Sequence, residues 1–132
     1  MKIDCNFKDI HFELNVEDKV CVLYMNSGEG KTFLFKELKK AINATWATKY
    51  HYYDYTDYCR MDWDSNVLYE KGNIVVFDNP DLCQEGILSV IKKSEAFIVI
   101  PTKSLAWLCE IRDKAFYHIE HDTNNVVMIK SV

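Results

Sequence analysis

The spacing of hydrophobic and polar residues along this chain changes several times, and each change marks an element. Ile10, Phe12, Leu14 and Val16 alternate with polar neighbours, the two-residue period of a half-buried antiparallel strand. Glu17-Asp18 turns this strand into Val20–Tyr24, an apolar and partly β-branched run. From Lys31 to Asn43 the period becomes helical, with Leu34, Leu38, Ala41 and Ile42 on the inner face. A strand is expected at Tyr50 to Tyr55, ahead of an acidic and aromatic stretch. Asn73 to Asp78 reads NIVVFD, four apolar residues without alternation, as in a parallel strand buried on both faces. Pro80 sits where a helix can start, and Asp81 to Lys93 carries Leu82, Ile87, Leu88 and Ile91. Ala96 to Ile100 is a further buried strand ended by Pro101, and Lys103 to Lys114 reads as a helix through Leu105, Leu108 and Ile111. Phe116 to Glu120 and Val126 to Lys130 close the chain as a hairpin around Thr123-Asn124-Asn125. Strands alternating with helices through short links predict an α/β fold. Its sheet is mainly parallel, with helices on both faces and antiparallel strands at the edges.

Composition narrows the class. The 132 residues suit a single domain, 1–132, and the apolar content of 48% argues against disorder. No apolar run approaches membrane-spanning length, and MKIDCNFKDIHFELN is not a signal peptide. Cys5, Cys21, Cys59, Cys83 and Cys109 are scattered and never spaced C-x-x-C, so reduced thiols in a cytoplasmic protein are expected. A net charge of −4 argues against nucleic acid as a partner, with Lys36, Lys39 and Lys40 read as the solvated face of the first helix.

The chemistry concentrates where the Val20–Tyr24 strand meets the first helix. Asn26, Ser27, Gly28, Glu29, Gly30, Lys31 and Thr32 form a glycine-bearing turn between a strand and a helix. That order is what a phosphate-binding loop requires. Backbone N–H groups at a helix N-terminus wrap phosphate oxygens, and Gly28 and Gly30 let the backbone come close. Lys31 can reach the β- and γ-phosphates, and the Thr32 hydroxyl can sit on Mg²⁺. Met25 stands where the full G-x-x-x-x-G-K-[ST] pattern has its first glycine. Asp78 ends a buried strand, where an acid faces the ligand crevice of a parallel sheet and can share the Mg²⁺ with Thr32.

Together these segments resemble ATP-binding-cassette-type P-loop ATPases. FKDIHFELNVEDKVCVLYMNSGEGKTFLFKEL is similar to that family's opening strands, phosphate loop (Walker A) and first helix. NIVVFDNPDL is similar to its metal-acid strand (Walker B), and SEAFIVIPTKSLAWLCEIRDKAFYHIEHDTNNVVMIK to its closing strand, switch position, helix and hairpin. The resemblance implies a three-layer P-loop NTPase-like fold that binds ATP and Mg²⁺ through residues 26–32 and Asp78. It implies an adenine-stacking aromatic at Phe7 or Phe12. It also exposes departures. Asn79 occupies the catalytic-glutamate position, and an amide cannot take a proton from water. Thr102 falls near the switch histidine, no LSGGQ-like signature occurs, and residues 44–72 are too few for the family's helical subdomain.

The expected function is therefore a compact nucleotide-binding protein with slow or absent hydrolysis and no assignable catalytic residue. The alternative is an interaction module that keeps the fold, has lost the nucleotide, and binds a protein partner through the aromatic Tyr50–Trp63 region. That region supplies Tyr50, Tyr52, Tyr53, Tyr55, Tyr58 and Trp63, beside Trp46. A small kinase is less favoured, since phosphoryl transfer wants cationic clamps and the arginines are only Arg60 and Arg112. Absence of an N-K-x-D run disfavours guanine.

Overall fold

A computed structural model describes residues 1–24, 35, 36, 38–40, 49–60 and 68–131. Among the described residues eight strands form one sheet: β1 (Lys2–Phe7), β2 (Ile10–Asn15), β3 (Val20–Tyr24), β4 (Tyr50–Tyr53), β5 (Ile74–Phe77), β6 (Phe97–Thr102), β7 (Ala115–His121) and β8 (Asn125–Lys130). Their order across the sheet is β1-β2-β8-β7-β3-β6-β5-β4. Two helices are fully described, α1 (Tyr55–Arg60) and α2 (Gln84–Lys93), and residues 35, 36 and 38–40 are also helical.

The expected three-layer P-loop NTPase-like α/β fold is corrected by this architecture. Strands take 43% of the described residues, helices are few, and the sheet is a single curled, mixed half-barrel of eight strands. The cause lies in the two hairpins. β1 and β2 pair antiparallel, as do β7 and β8, and β2 then joins β8 in parallel through His11↔Asn125 to Leu14↔Met128. The hairpins thereby extend one continuous sheet rather than flank it. β2 does not pair with β3, because the β7/β8 hairpin stands between them. The corner is clamped by Asp18, whose carboxylate accepts the Tyr117 hydroxyl at 2.7 Å and pairs with Lys130 at 3.1 Å.

The helix expected over Lys103–Lys114 does not form among these residues. A three-residue 3₁₀ turn, Ala106–Leu108, takes its place. The Thr102 hydroxyl captures the Ser104 N–H at 3.2 Å, a local bond that competes with helix start. Trp107, Leu108 and Ile111 still reach the core, whereas Leu105, expected on the inner face, is exposed.

Apolar strand residues bury both faces of the parallel region. Cys21, Leu23, Ile74, Val76 and Val99 face one core with Phe35, Leu38, Tyr50 and Tyr52. Val20, Val22, Val75, Phe77, Ile98 and Ile100 face the other, covered by Tyr58, Ile87, Ile91, Trp107 and Leu108. This alternation follows from successive Cβ atoms pointing to opposite faces. No helix among the described residues is long and apolar enough to cross a membrane.

Candidate functional site

β3, β6 and β5 lie side by side in parallel, as their unbroken apolar runs predict. Leu23 pairs with Pro101, and the Pro101 carbonyl accepts the Asn79 N–H at 2.9 Å. The carboxyl ends of the three strands are therefore level, and Tyr24, Thr102 and Asp78 share one rim of the sheet.

Asp78 follows β5 and is 3% exposed. It continues the parity of Ile74 and Val76, so its side chain stands on the face lined by Tyr50, Tyr52, Phe35 and Leu38. Its Oδ2 accepts the Tyr52 hydroxyl at 2.5 Å, and its backbone carbonyl accepts the Tyr58 hydroxyl at 2.8 Å. Burial and the Asp78 charge push both phenols well above the ordinary tyrosine range, so both keep their protons and donate. Tyr50, raised chiefly by burial, donates to the Phe35 carbonyl at 2.9 Å, and the Lys39 ammonium lies 6.0 Å from the Tyr52 ring centroid. β4 thus holds Phe35 with one tyrosine and Asp78 with the next but one.

A cleft of about 200 Å³ opens at this rim, lined among the described residues by Lys36, Tyr52, Asp54, Tyr55, Thr56, Asp78 and Asn79. Asp54 is committed to helix α1. Its Oδ1 accepts the Thr56 N–H at 3.0 Å while Asp57 Oδ2 accepts the Asp54 N–H at 2.9 Å, the reciprocal pattern of a capping box. Asn79 holds a left-handed backbone, φ 49° and ψ 58°, which asparagine tolerates better than glutamate does. Asp81 is turned away toward β6. Its Oδ1 lies 2.8 Å from the Thr102 hydroxyl and its Oδ2 accepts the Lys103 N–H at 3.4 Å. Trp107 Nε1–H also donates to Thr102 Oγ1, at 3.3 Å.

Of the residues singled out from sequence, Asp78 stands at the strand end as expected. Asn26, Ser27, Gly28, Glu29, Gly30, Lys31 and Thr32 lie outside the described residues, as do Met25, Trp46 and Trp63. Tyr52 and Tyr58 were not anticipated as partners of Asp78. The alternation in Tyr50-His51-Tyr52-Tyr53 places Tyr50 and Tyr52 on one face, but only the register Tyr53↔Phe77 brings Tyr52 to the acid. No protein-family model matches the sequence, and no curated protein is found to be similar to it.

Proposed function

We propose that the protein binds a nucleoside triphosphate, ATP with Mg²⁺, through residues 26–32, and turns it over slowly or not at all. One observation carries this reading. Phe35 and Lys36, which follow Gly30-Lys31-Thr32, stand against the same sheet face and cleft that hold the Asp78 carboxylate. The segment that leaves β3 and the acid that ends β5 also start from one rim of parallel strands, the edge where such sheets take their ligands. Lys31 and Thr32 would meet the phosphates and the metal. Asp78 offers a hard carboxylate oxygen, and with phosphate oxygens and waters it makes the all-oxygen donor set that suits Mg²⁺. Tyr52 fixes the carboxylate orientation by its hydroxyl.

Slow turnover follows from what surrounds Asp78. Asn79 carries an amide that cannot accept a proton from water. Asp81 is engaged by Thr102 and Lys103, and Asp54 caps α1. No carboxylate next to Asp78 in the chain is placed as a base. The partner-surface alternative draws less support. Tyr50, Tyr52 and Tyr58 are buried, Tyr53 stacks on Phe77 at 5.7 Å, and Tyr55 is the strongly exposed aromatic among the described residues 50–60.

Thermal unfolding with and without Mg-ATP tests the proposal. At a hundredfold excess over Kd, binding adds about 2.7 kcal/mol to the native state. Lys31→Ala is expected to remove that gain while leaving the apo midpoint unchanged. The same gain in Lys31→Ala would place the nucleotide elsewhere, and no gain in the wild type would reject the nucleotide.

A further inference from the structure

We propose that Asp4, His11 and Glu13 form a binding site for a divalent transition-metal ion on the outer face of the β1–β2 hairpin. The antiparallel register pairs Asp4 with Glu13 and Asn6 with His11. Paired residues share a face, so these side chains project together while Ile3, Cys5, Phe12 and Leu14 fill the core behind them. The hairpin is set by a two-residue turn in which Lys8 and Asp9 are both left-handed, at φ 49° and 66°. That turn fixes the register that brings the three groups together.

One ligand atom from each of the three residues lies within 4.8 Å of the others, and His11 Nε2 is 2.9 Å from Asp4 Oδ1. A tetrahedral zinc ion with bonds of about 2.0–2.1 Å sets its ligand atoms roughly 3.4 Å apart. The three ligand atoms therefore lie near the spacing that a metal requires. The surrounding contacts orient the ligands. Asn6 Oδ1 lies 3.0 Å from His11 Nδ1 and can accept its proton, which turns Nε2 toward the carboxylates, 2.9 Å from Asp4 Oδ1, where a bound metal would take the place of an Nε2 proton. Asn15 Nδ2 donates to Glu13 Oε2 at 2.8 Å and to the Met128 carbonyl at 3.2 Å, holding the glutamate from behind.

Two carboxylates converging on one imidazole nitrogen gather negative charge that a cation can neutralise. Lys2 supplies one from the side, at 3.0 Å from Glu13 Oε1 and 4.0 Å from Asp4 Oδ2. Its side chain is 54% exposed and can swing away. An imidazole with two carboxylates selects first-row transition ions over Mg²⁺ and Ca²⁺, which prefer oxygen ligands alone. Partial exposure of all three residues leaves room for water to complete the shell.

The test is titration of metal-stripped full-length protein with Zn²⁺, read by calorimetry and by the ring-nitrogen resonances of His11. One saturable site is expected, with the His11 Nε2 resonance displaced on binding and unmoved by Mg²⁺. His11→Ala and Glu13→Gln should abolish that site, and Asn6→Ala should weaken it by about 10–100-fold. Metal-free unfolding midpoints at the wild-type value would separate loss of a ligand from loss of the fold. Zn²⁺ uptake by His11→Ala with unchanged stoichiometry and affinity would overturn the proposal. So would saturation without displacement of the His11 resonance, or no saturable uptake by the wild type.

Discussion

Removing the Tyr52 hydroxyl strikes the polar centre of the rim. In Tyr52→Phe the ring and its packing stay, and only the donor to Asp78 Oδ2 is lost. A hydrogen bond to a charged group contributes roughly 1.5–3 kcal/mol. Asp78 is 3% exposed, so bulk water has little access to replace the donor, and the upper half of that range applies. For a chain of this length each kcal/mol moves the melting midpoint by roughly 3–5 °C, giving a fall on the order of 7–15 °C. The origin of the effect can be isolated in an Asp78→Asn background. There the amide oxygen still accepts from Tyr52 but carries no charge, so the same hydroxyl contributes only about 0.5–1.5 kcal/mol. Urea denaturation of the four proteins, followed by circular dichroism, closes the double-mutant cycle and should yield a coupling of about 1–2 kcal/mol. Tyr52→Phe within about 0.5 kcal/mol of wild type, or an equal cost in both backgrounds, would refute the charged hydrogen bond.

Phosphate release from Mg-ATP should be near background, since a missing base removes about 10²–10⁴-fold of rate. Asn79→Glu should raise it, against roughly 1–2 kcal/mol of backbone strain at that left-handed position; brisk wild-type release that vanishes in Lys31→Ala would contradict slow turnover. Thr102→Val takes away the hydroxyl that meets Asp81, the Ser104 N–H and Trp107 Nε1. It should cost about 1–3 kcal/mol in equilibrium denaturation, and a neutral result would remove Thr102 as the anchor of the β6 end. Alkaline pH should destabilise the fold. Burial holds the phenols of Tyr50, Tyr52, Tyr58 and Tyr117 above their ordinary 10.0 and pushes the Cys21 thiol from 9.0 up to about 11. Each group binds its proton more tightly folded than unfolded, so its contribution is intact below its unfolded value and is lost as pH rises beyond it. The urea midpoint should fall from about pH 9 upward, with the phenolate absorbance of these four tyrosines appearing together with unfolding; a flat midpoint to pH about 11 would show these groups to be solvated.

The parallel centre of the sheet was legible because Val20–Tyr24, NIVVF and FIVI are apolar on both parities, which only a doubly covered strand needs. Asp78 was legible for the same reason, as an acid ending such a run. The β1–β2 hairpin gave little warning. Its left-handed turn uses Lys8-Asp9, without the Asn-Gly or Asp-Gly pair that usually marks such turns. Parallel pairing of β2 with β8 joins opposite ends of the chain, and local pattern carries no information on register between them. That pairing turned expected edge strands into part of a curled eight-stranded sheet. Leu105, Leu108 and Ile111 have helical spacing, yet the Thr102 and Ser104 contacts start a 3₁₀ turn instead. Tyr52 and Tyr58 looked like part of an aromatic surface, and their role beside Asp78 needed the β4–β5 register and the path of α1.

Calorimetric titration of ATP into the purified protein, with and without Mg²⁺ and alongside Lys31→Ala, tests the central claim most directly. The account predicts one saturable site that needs Mg²⁺ for full affinity and is lost in Lys31→Ala. No saturable heat at millimolar Mg-ATP, or an identical isotherm in Lys31→Ala, would contradict it.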